Sequence, residues 1–371
     1  MAKIIVLGSY DQSLINFRGL LLQTMVQEGH EVIACAPEIS DDVRSKLFSI
    51  GVHSVSVPMN RTGITPVKDL VTFFILVKLF VSVKPDIILS YTIKPVIYGS
   101  LAARMAGIQK IYSMITGLGN AFTFGNLRQR LLGTIASLLY RISLKQNQKV
   151  FFQNPDDVKF FKELRFLSDP EKVVMINGSG VDLEWYKPVP LPGNCSFLLI
   201  ARLIREKGVY DYVEAARMIK QKHPHVKFRL VGWLENSPSA ITETELLSWK
   251  EEGIIEYLGK LDDVRPAIAE TTVYVLPSYY LEGVPRTNLE AMAMGRPVIT
   301  TDAPGCRETV IEGENGFLVP LRHPEALAQA MEKFVHQPEK VSRMGSVSRE
   351  LAETKFNVHE VNKIIMKTID L

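Results

Sequence analysis

Cysteine is scarce in this sequence. The 371 residues include three cysteines, Cys35, Cys195 and Cys306, and no two of them are spaced as CxxC. A disulfide framework needs paired cysteines and a zinc knuckle needs closely spaced ones, so the sequence excludes both. A reducing compartment fits this pattern.

Long apolar runs are lacking as well. Residues 4–7 are too few for the apolar region of a signal peptide. The longest apolar run, residues 70–83, is interrupted by Thr72, Lys78 and Ser82. It falls short of the ~18–20 residues that cross a bilayer. We therefore expect a cytoplasmic protein that does not span a membrane.

Acidic residues are missing from one long segment. Up to Trp185 the chain has 20 Lys and Arg against 15 Asp and Glu, and after it 23 against 25. The basic surplus therefore lies in the N-terminal half. Residues 87–155 contain no acidic residue, and their basic residues are Lys94, Arg104, Lys110, Arg128, Arg130, Arg141, Lys145 and Lys149.

Part of this segment, residues 126–149, is predicted to be an amphipathic helix. Its apolar residues at helical spacing are Leu131, Leu132, Ile135, Leu138, Leu139 and Ile142. The helix can lie on an anionic membrane surface, or it can be a core helix with a solvated basic face. The residues expected to face the membrane are Arg128, Arg130, Arg141 and Lys145. Nucleic acid is not an expected partner, because the nearby aromatic residues match no RRM, KH or helix-turn-helix pattern.

Short apolar strands alternate with helix-length segments along the whole chain. The predicted strands are 3–7, 31–36, 53–57, 86–89, 110–115, 149–153, 172–176, 196–200, 227–231, 254–258, 273–276, 297–300 and 316–319. Apolar strands separated by helices indicate parallel sheets that are covered on both faces. A Pro-rich break at 188–193 divides the series. We predict an α/β protein of two doubly wound, Rossmann-like domains, 1–186 and 187–356, with ligands in the cleft between them.

Several chemistries are excluded by missing motifs. The sequence contains no GxxxxGK[ST], HExxH, GxSxG or DxD, and the glycine pairs at 117–119 and 178–180 lack a third glycine. A P-loop, a dinucleotide fingerprint and a metal-dependent reaction are therefore not indicated. The seven histidines show no ligand spacing, so no metal site is expected.

The segment 277–299 follows a predicted strand and enters a helix near Arg286. A strand, a Gly/Pro turn and a helix start present backbone N–H groups and a positive dipole end to an anion. Glu282 lies on the turn and Glu290 lies one turn into the helix. Carboxylates accept hydrogen bonds only, so they suit sugar and ribose hydroxyls beside a phosphate.

A second cluster, Arg202 and Lys207, follows the predicted strand 196–200. From a strand edge, a guanidinium and an ammonium can clamp a diphosphate. A salt-bridged loop is the alternative interpretation of this cluster.

Together these motifs resemble a known family. Arg202 and Lys207, Glu282-x7-Glu290, the segment NGSGVD at 177–182 and Pro277-Ser278 are similar to the retaining glycosyltransferases of family 4, with the two-domain GT-B fold. The similarity covers nearly the whole chain in order. The turn EGVPR at 282–286 and the run at 301–308 further resemble the transferases of polyprenyl-diphosphate-linked bacterial glycans, including the N-acetylgalactosaminyltransferases of protein N-glycosylation.

The resemblance implies a nucleotide-sugar site in the C-terminal domain. Arg202 and Lys207 would stabilise the leaving diphosphate, Glu282 would contact the transferred sugar and Glu290 the ribose. The acceptor would attack on the face that the diphosphate leaves, a donor phosphate oxygen would take its proton, and no cofactor or metal would be needed. The residues implied beside the phosphates and the base are Gly283, Val284, Pro285, Arg286, Thr287, Lys260 and Leu261.

The sequence departs from this family in its N-terminal half. Many relatives place a histidine near the reacting carbon, but no histidine occurs between His53 and His223. The candidates for contacts with the sugar or with the acceptor phosphate are Thr116, Gly117, Asn120, Asn16 and Arg18. By the same resemblance, the C-terminal helix 357–371 would pack back on the first domain.

The expected function is that of a metal-independent hexosyltransferase of class EC 2.4, bound peripherally to the inner face of the cell membrane. It would transfer a hexose or an N-acetylhexosamine, N-acetylgalactosamine among them, from a UDP-sugar to a polyprenyl-diphosphate-linked saccharide. The product would belong to an N-glycan, O-antigen or capsule. A UDP-sugar 2-epimerase of the same fold and a non-catalytic nucleotide-sugar-binding protein remain as alternatives.

Overall fold

The chain folds into two compact units. The computed structural model describes residues 1–60, 66–118, 127–167, 169–235 and 237–371, and over 127–132 the backbone alone. Unit 1 comprises Met1–Ser179 and Val358–Leu371, and unit 2 comprises Gly180–Asn357. Both units are parallel α/β structures.

Unit 1, within the part of the chain that the structure describes, has a seven-stranded parallel sheet in the order β3-β2-β1-β4-β5-β6-β7. Its strands are β1 (Lys3–Leu7), β2 (Glu31–Ala36), β3 (His53–Ser56), β4 (Ile87–Tyr91), β5 (Lys110–Ile115), β6 (Lys149–Phe152) and β7 (Val173–Met175). Its helices before residue 180 are α1 (Asp11–Asn16), α2 (Gly19–Gln27), α3 (Asp41–Ser49), α4 (Pro66–Val83), α5 (Ser100–Met105), α6 (Leu127–Lys145) and α7 (Pro155–Glu163). A π-helical turn, Pro95–Gly99, precedes α5.

Unit 2 has a six-stranded parallel sheet over its described residues, in the order β10-β9-β8-β11-β12-β13. Its strands are β8 (Ser196–Ile200), β9 (Lys227–Val231), β10 (Glu256–Tyr257), β11 (Val273–Leu276), β12 (Val298–Thr301) and β13 (Gly316–Val319). The remaining helices are α8 (Val209–Lys222), α9 (Glu243–Glu251), α10 (Arg265–Ala269), α11 (Arg286–Ala293), α12 (Pro324–His336), α13 (Glu339–Thr354) and α14 (Val358–Thr368).

The central strands are apolar on both faces because helices cover both. In β1, Ile4 and Val6 pack into one apolar cluster, and Ile5 and Leu7 pack into another on the opposite face. Val6 stands in register between Ala34 of β2 and Leu89 of β4. The predicted α/β class and parallel sheets are confirmed.

The C-terminal helix α14 belongs to unit 1. Its inward side chains, among them Val361 and Ile365, and Ile369 directly after it are buried in the cluster that contains Ile4 and Val6. Helical spacing places these side chains on one side, so the apolar side of α14 completes one face of the unit 1 core.

The start of unit 2 lies earlier than the sequence indicated. Residues 180–186 pack with unit 2, and the Pro-rich segment 188–193 is an integral part of it. The Pro-rich segment is held there by Arg296, which is buried and donates hydrogen bonds to the carbonyl oxygens of Val189 at 2.9 Å and Pro190 at 3.3 Å. A buried guanidinium needs such acceptors, and this segment supplies them.

Of the two arrangements left open for helix α6, a core helix is wrong for part of its apolar face. Ala136, Tyr140 and Leu144 form its buried side, whereas Ile135 and Leu138 are exposed. The apolar periodicity correctly grouped the residues that share a face of the helix. The buried side of the helix, with Ala136, Tyr140 and Leu144, makes the contacts with the core.

No helix in the described ranges is both long enough and apolar enough to cross a bilayer.

A buried carboxyl group in α7 makes the stability of unit 1 dependent on pH. Asp157 is 1% exposed, and its Oδ2 accepts a hydrogen bond from Asn154 Nδ2 at 3.1 Å. Burial raises the pKa of Asp157 to about 7, against about 3.9 in an unfolded chain. Between these values the folded state holds one more proton, so stability falls by about 1.4 kcal/mol per pH unit as the pH rises.

Asp157→Asn should abolish this dependence, because the amide stays neutral at every pH. Urea unfolding at pH 5 and at pH 8 should therefore give similar midpoints for the variant, while the wild type loses stability between them. Asp156→Asn, a half-buried neighbour in the same turn, should keep most of the wild-type change. Equal pH responses of Asp157→Asn and wild type would contradict the assignment.

Candidate functional site

The candidate site of unit 2 lies where its strand order reverses. Strand β8 pairs with β9 on one side and with β11 on the other, and all three run parallel. The loops at the carboxyl ends of β8 and β11 therefore leave the sheet side by side, which is where doubly wound sheets bind ligands. Arg202 follows β8, and Ser278 and Glu282 follow β11.

Lys207 and Glu282 form an ion pair at this edge. The ammonium of Lys207 donates to Oε1 of Glu282, and both side chains are mostly buried. Ser278 Oγ lies 3.0 Å from the same oxygen. The structure thus brings together two of the three predicted catalytic residues and adds the Ser278 hydroxyl to them.

The third predicted catalytic residue, Arg202, lies beside them. The Cζ atom of Arg202 is 5.2 Å and Nζ of Lys207 is 5.3 Å from the centre of the Tyr280 ring. Arg202 Nη1 also donates to Oε2 of Glu235 at 3.1 Å. Two cations share one aromatic ring, a cation–π arrangement that fixes their positions, and each cation also pairs with a glutamate.

The loop after β11 is fixed by main-chain hydrogen bonds. The N–H groups of Tyr279 and Tyr280 donate to the carbonyl oxygen of Glu206 at 2.8 and 2.9 Å. Glu206 lies in the short 3₁₀ turn Arg205–Lys207. The loop that carries Lys207 and the loop that carries Glu282 are therefore tied to each other.

Two glycines allow these loops to approach closely. Gly208 has φ +73°, and a Cβ there would lie 2.1 Å from the carbonyl oxygen of Pro277. Gly305 has φ +76°, and a Cβ there would lie 1.8 Å from the carbonyl oxygen of Gly283. Any other residue at either position would displace the backbone that carries the site.

Glu290 is positioned by two donors. Its Oε1 accepts hydrogen bonds from the hydroxyl of Tyr186 at 2.9 Å and from Nε of Arg286 at 2.8 Å. Burial raises the pKa of Tyr186, and the Glu290 carboxylate raises it further. The phenol therefore remains a proton donor, and the carboxylate remains the acceptor.

The other predicted donor-site residues lie on two loops. Gly283, Val284 and Pro285 are buried on the turn before α11, and Thr287 is half-buried in the first turn of that helix. The first N–H groups of a helix have no acceptor within it, so this turn can present donors to an anion. The loop after β10 carries Lys260, which is exposed, and Leu261, which packs partly on the core. Nζ of Lys260 lies 5.9 Å from the Trp233 ring centre.

The predicted acceptor contacts belong to unit 1. Asn16 is exposed at the end of α1, and Thr116 and Gly117 are half-buried after β5. Arg18 is buried, with its Cζ 5.2 Å from the centre of the Tyr91 ring. Asn120 lies outside the described residues.

The four residues predicted to contact the membrane belong to α6. Arg141 and Lys145 are exposed on this helix. The side chains of Arg128 and Arg130 lie outside the described part of the chain.

One histidine cluster was not anticipated. Nε2 of His223 and Nε2 of His336 lie 3.8 and 3.7 Å from Oε1 of Glu332. The Lys222 ammonium is 3.0 Å from the same oxygen and holds the pKa of Glu332 below its usual value. Because a lysine already pairs with this carboxylate, the cluster carries no ligand assignment.

Sequence patterns did not predict three residues of the site. Glu235 follows β9, so the rule that ligands bind at carboxyl ends of strands, applied to that strand, would have found it. Tyr280 lies between Ser278 and Glu282 on the same loop. Tyr186 is separated from Glu290 by 104 residues, and no local pattern in the sequence connects them.

Two family models match the chain, one in each unit. Residues 4–154 match "Glycosyl transferase 4-like", and residues 194–337 match "Glycosyl transferases group 1". The chain is a glycosyltransferase. It carries both glycosyltransferase domains, and the predicted GT-B fold is confirmed.

Two curated relatives resemble the glycosyltransferase over most of its length. The N,N'-diacetylbacillosaminyl-diphospho-undecaprenol α-1,3-N-acetylgalactosaminyltransferase of Campylobacter jejuni is 26% identical over 85% of each chain. The UDP-Gal:α-D-GlcNAc-diphosphoundecaprenol α-1,3-galactosyltransferase of Escherichia coli is 27% identical over 86% of this chain and 84% of its own. The glycosyltransferase is therefore similar to enzymes that act on undecaprenol-diphosphate-linked sugars in bacteria.

A solved structure has the same fold. The Anabaena protein HepE in complex with UDP-glucose superposes on the glycosyltransferase with a TM-score of 0.79 at 19% identity, covering 100% of both chains. The two glycosyltransferase domains favour this activity over the two alternatives that the sequence left open, an epimerase and a non-catalytic binding protein.

Proposed function

We propose that this glycosyltransferase transfers a hexose or an N-acetylhexosamine from a UDP-sugar to a saccharide linked to undecaprenyl diphosphate, with retention of anomeric configuration. The names of both curated relatives specify α-1,3 transfer of a galactose or an N-acetylgalactosamine to such an acceptor. Galactose and N-acetylgalactosamine are therefore the first donors to test. The similarity to a UDP-glucose complex supports a uridine donor.

The observation that carries this proposal is the arrangement of Lys207, Arg202 and Glu282 around Tyr280 at the edge of β8 and β11. A nucleotide sugar offers a diphosphate to the two cations and hydroxyl donors to the carboxylate. In the proposed reaction the bond between the anomeric carbon and the diphosphate oxygen breaks, and the acceptor oxygen bonds to that carbon. The acceptor proton moves to the leaving diphosphate. Lys207 and Arg202 stabilise the negative charge that grows there.

The proposed reaction needs no metal ion, because the two cations supply the charge that a metal would bring to the diphosphate. Glu282 then contacts the sugar and Glu290 the ribose. The turn Gly283–Thr287 contacts the phosphates, and the loop with Lys260 and Leu261 contacts the base. The acceptor contacts in unit 1 are Asn16, Arg18, Thr116, Gly117 and Asn120.

The proposed acceptor places the enzyme at a membrane. Undecaprenyl diphosphate is anchored in the bilayer, so the enzyme must bind the attached saccharide at the surface of the inner leaflet. We place the enzyme there as a peripheral protein, with the basic residues of unit 1 facing anionic lipid.

The test is a donor screen with purified enzyme and chemically defined undecaprenyl-diphosphate-linked mono- and disaccharides. We expect one UDP-hexose or UDP-N-acetylhexosamine to be consumed, an α-linked product by NMR, and unchanged turnover in EDTA. Release of an epimerised UDP-sugar, a β-linked product, or loss of activity in EDTA that is restored by a divalent ion would each contradict part of this proposal.

Glu290→Gln should separate binding from chemistry. The proposed ribose contact is the same in the ground state and in the transition state, so its loss should raise KM for the donor with little change in kcat. A hydrogen bond to a charged group contributes about 1.5–3 kcal/mol, so KM should rise about tenfold or more. Steady-state kinetics with varied donor measures this. Glu314→Gln, exposed and remote in the same unit, should leave KM unchanged, and a fall in kcat alone would contradict the ribose role.

A further inference from the structure

Helix α4 exposes an unusual surface. Five of its outward side chains are apolar and more than half exposed, and we name them the apolar stripe: Val67, Leu70, Val71, Phe74 and Val81. Their spacing places them along one side of the helix. The opposite side is anchored in unit 1 by Leu76 and Phe80, which are buried. A helix that faces water on one side normally carries polar residues there, so the apolar stripe is suited to a partner.

The charges around the apolar stripe are basic. Lys68 and Lys78 are exposed on α4, and its single acidic residue, Asp69, is buried with its Oδ1 2.6 Å from Nζ of Lys94. Lysine is depleted in the centre of protein–protein interfaces. At a membrane surface, lysine side chains extend from an apolar face toward anionic headgroups. The mixture of large apolar residues and lysines therefore favours lipid over protein.

Helix α6 extends this surface. Both α4 and α6 pack against the π-helical turn Pro95–Gly99 and against α5, so the three helices form one layer of unit 1. In this layer Ile135, Leu138 and Ile142 of α6 are also at least two-fifths exposed. The sequences of the turn, α5 and α6 contain no acidic residue. The outward side of the layer therefore combines exposed apolar residues with positive charge.

We infer that the apolar stripe of α4, continued by the exposed apolar residues of α6, inserts into the outer part of an anionic phospholipid leaflet. With its inner side held in the core, α4 lies along the surface and does not cross the bilayer. This inference rests on the proposed function, because a lipid-linked acceptor requires the enzyme at the membrane. It goes further by assigning membrane contact to α4, which the sequence analysis did not connect with lipid.

The experiment measures partitioning of the full chain onto sucrose-loaded vesicles of phosphatidylcholine, alone or with an equal part of phosphatidylglycerol. The variant Leu70→Ser/Phe74→Ser/Val81→Ser should lower the partition coefficient onto mixed vesicles by at least about tenfold at low and at high salt, because the lost contribution is apolar area. Lys68→Ser/Lys78→Ser should lower it by about tenfold at low salt and by much less at high salt.

The matched control is Phe48→Ser. Phe48 is a large exposed residue of α3, a helix that packs on the opposite face of the unit 1 sheet, so this variant should partition like wild type. Thermal unfolding checks that each variant is folded, since exposed substitutions usually change stability by only about 0.5 kcal/mol. Transfer to an acceptor with a short, water-soluble lipid chain should stay within about twofold of wild type, because the apolar stripe is not part of the donor site.

Three results would overturn the inference. The wild-type protein could fail to bind mixed vesicles, or the triple serine variant could bind them as well as the wild type does. The wild type could also be a dimer that the triple serine variant converts to a monomer. The last result would make the apolar stripe a contact between two copies of the chain. If the wild type binds vesicles through the stripe but transfers no sugar to any lipid-linked acceptor, the proposed function fails and the membrane surface stands.

Discussion

Lys207→Ala should lower kcat/KM for the donor by about 10²–10³-fold, which corresponds to about 2.7–4 kcal/mol of transition-state stabilisation. Lys207 is mostly buried, pairs with Glu282 and lies over the Tyr280 ring. Under the proposed function its ammonium stabilises the charge that develops on the diphosphate, a contact that strengthens as the glycosidic bond breaks. Most of the loss should therefore appear in kcat.

This variant also removes the ammonium of the ion pair with Glu282. Breaking a mostly buried ion pair destabilises a protein, so activity is compared only after circular dichroism and urea unfolding show a folded chain. Lys250→Ala, an exposed lysine of α9 in the same unit, is the matched control and should turn over normally. Near-normal turnover of folded Lys207→Ala would remove this residue from the catalytic machinery.

The double variant Lys207→Ala/Glu282→Gln tests whether the two residues act as a unit. Groups that act together give losses that do not add. We expect the kcat/KM of the double variant to be at most a few-fold below that of the less active single variant. Fully additive losses would mean that the two side chains act on separate steps.

Gly305→Ala should abolish donor binding although residue 305 carries no functional side chain. The added Cβ would lie 1.8 Å from the carbonyl oxygen of Gly283 and 2.8 Å from that of Glu282. Such overlaps force the backbone apart, so the turn that holds Glu282 must move. A shift of about 1 Å in a catalytic group can lower a rate by about 10²-fold. Isothermal titration with UDP and initial rates would measure both effects.

Gly313→Ala is the control for backbone strain. Gly313 has φ +77°, close to that of Gly305, but a Cβ there would meet nothing within 4 Å. Both alanines therefore bear a similar conformational penalty of about 1 kcal/mol. Only Gly305→Ala should lose UDP binding. Equal losses in the two variants would show that strain, and not displacement of the Glu282 turn, is responsible.

The sequence was sufficient for the strands and for the grouping of Arg202 and Lys207 with Glu282. Every strand begins and ends within two residues of its predicted bounds, because apolar runs between turn residues are a strong local signal. Glu290 lies four residues after Arg286 on α11 and bonds to it, as the helical spacing requires. Arg202 and Lys207 lie beside the Glu282 loop because β8 and β11 are neighbours in the sheet.

What the sequence did not predict depends on contacts between distant segments. Periodicity shows which residues of α6 share a side but not which side is buried, so the sequence leaves open whether Ile135 and Leu138 face the core or the surface. The sequence shows the Pro-rich segment near Val189 only as a break in the series of strands, because its fixation by Arg296 involves residues about a hundred positions apart. The bond from Tyr186 to Glu290 was missed for the same reason.

The pairing of Lys207 with Glu282 has a consequence for selectivity. In the proposed function, an inorganic phosphate or a nucleoside diphosphate without a sugar could pair with the Lys207 ammonium. It would bring no sugar hydroxyl to the Glu282 carboxylate, and its negative charge would repel that carboxylate. A ligand that joins a sugar to the diphosphate compensates both charges at once. Under the proposed function, the Lys207–Glu282 pair would therefore compete with abundant cellular anions for the ammonium, and it would re-form as the nucleotide leaves after transfer.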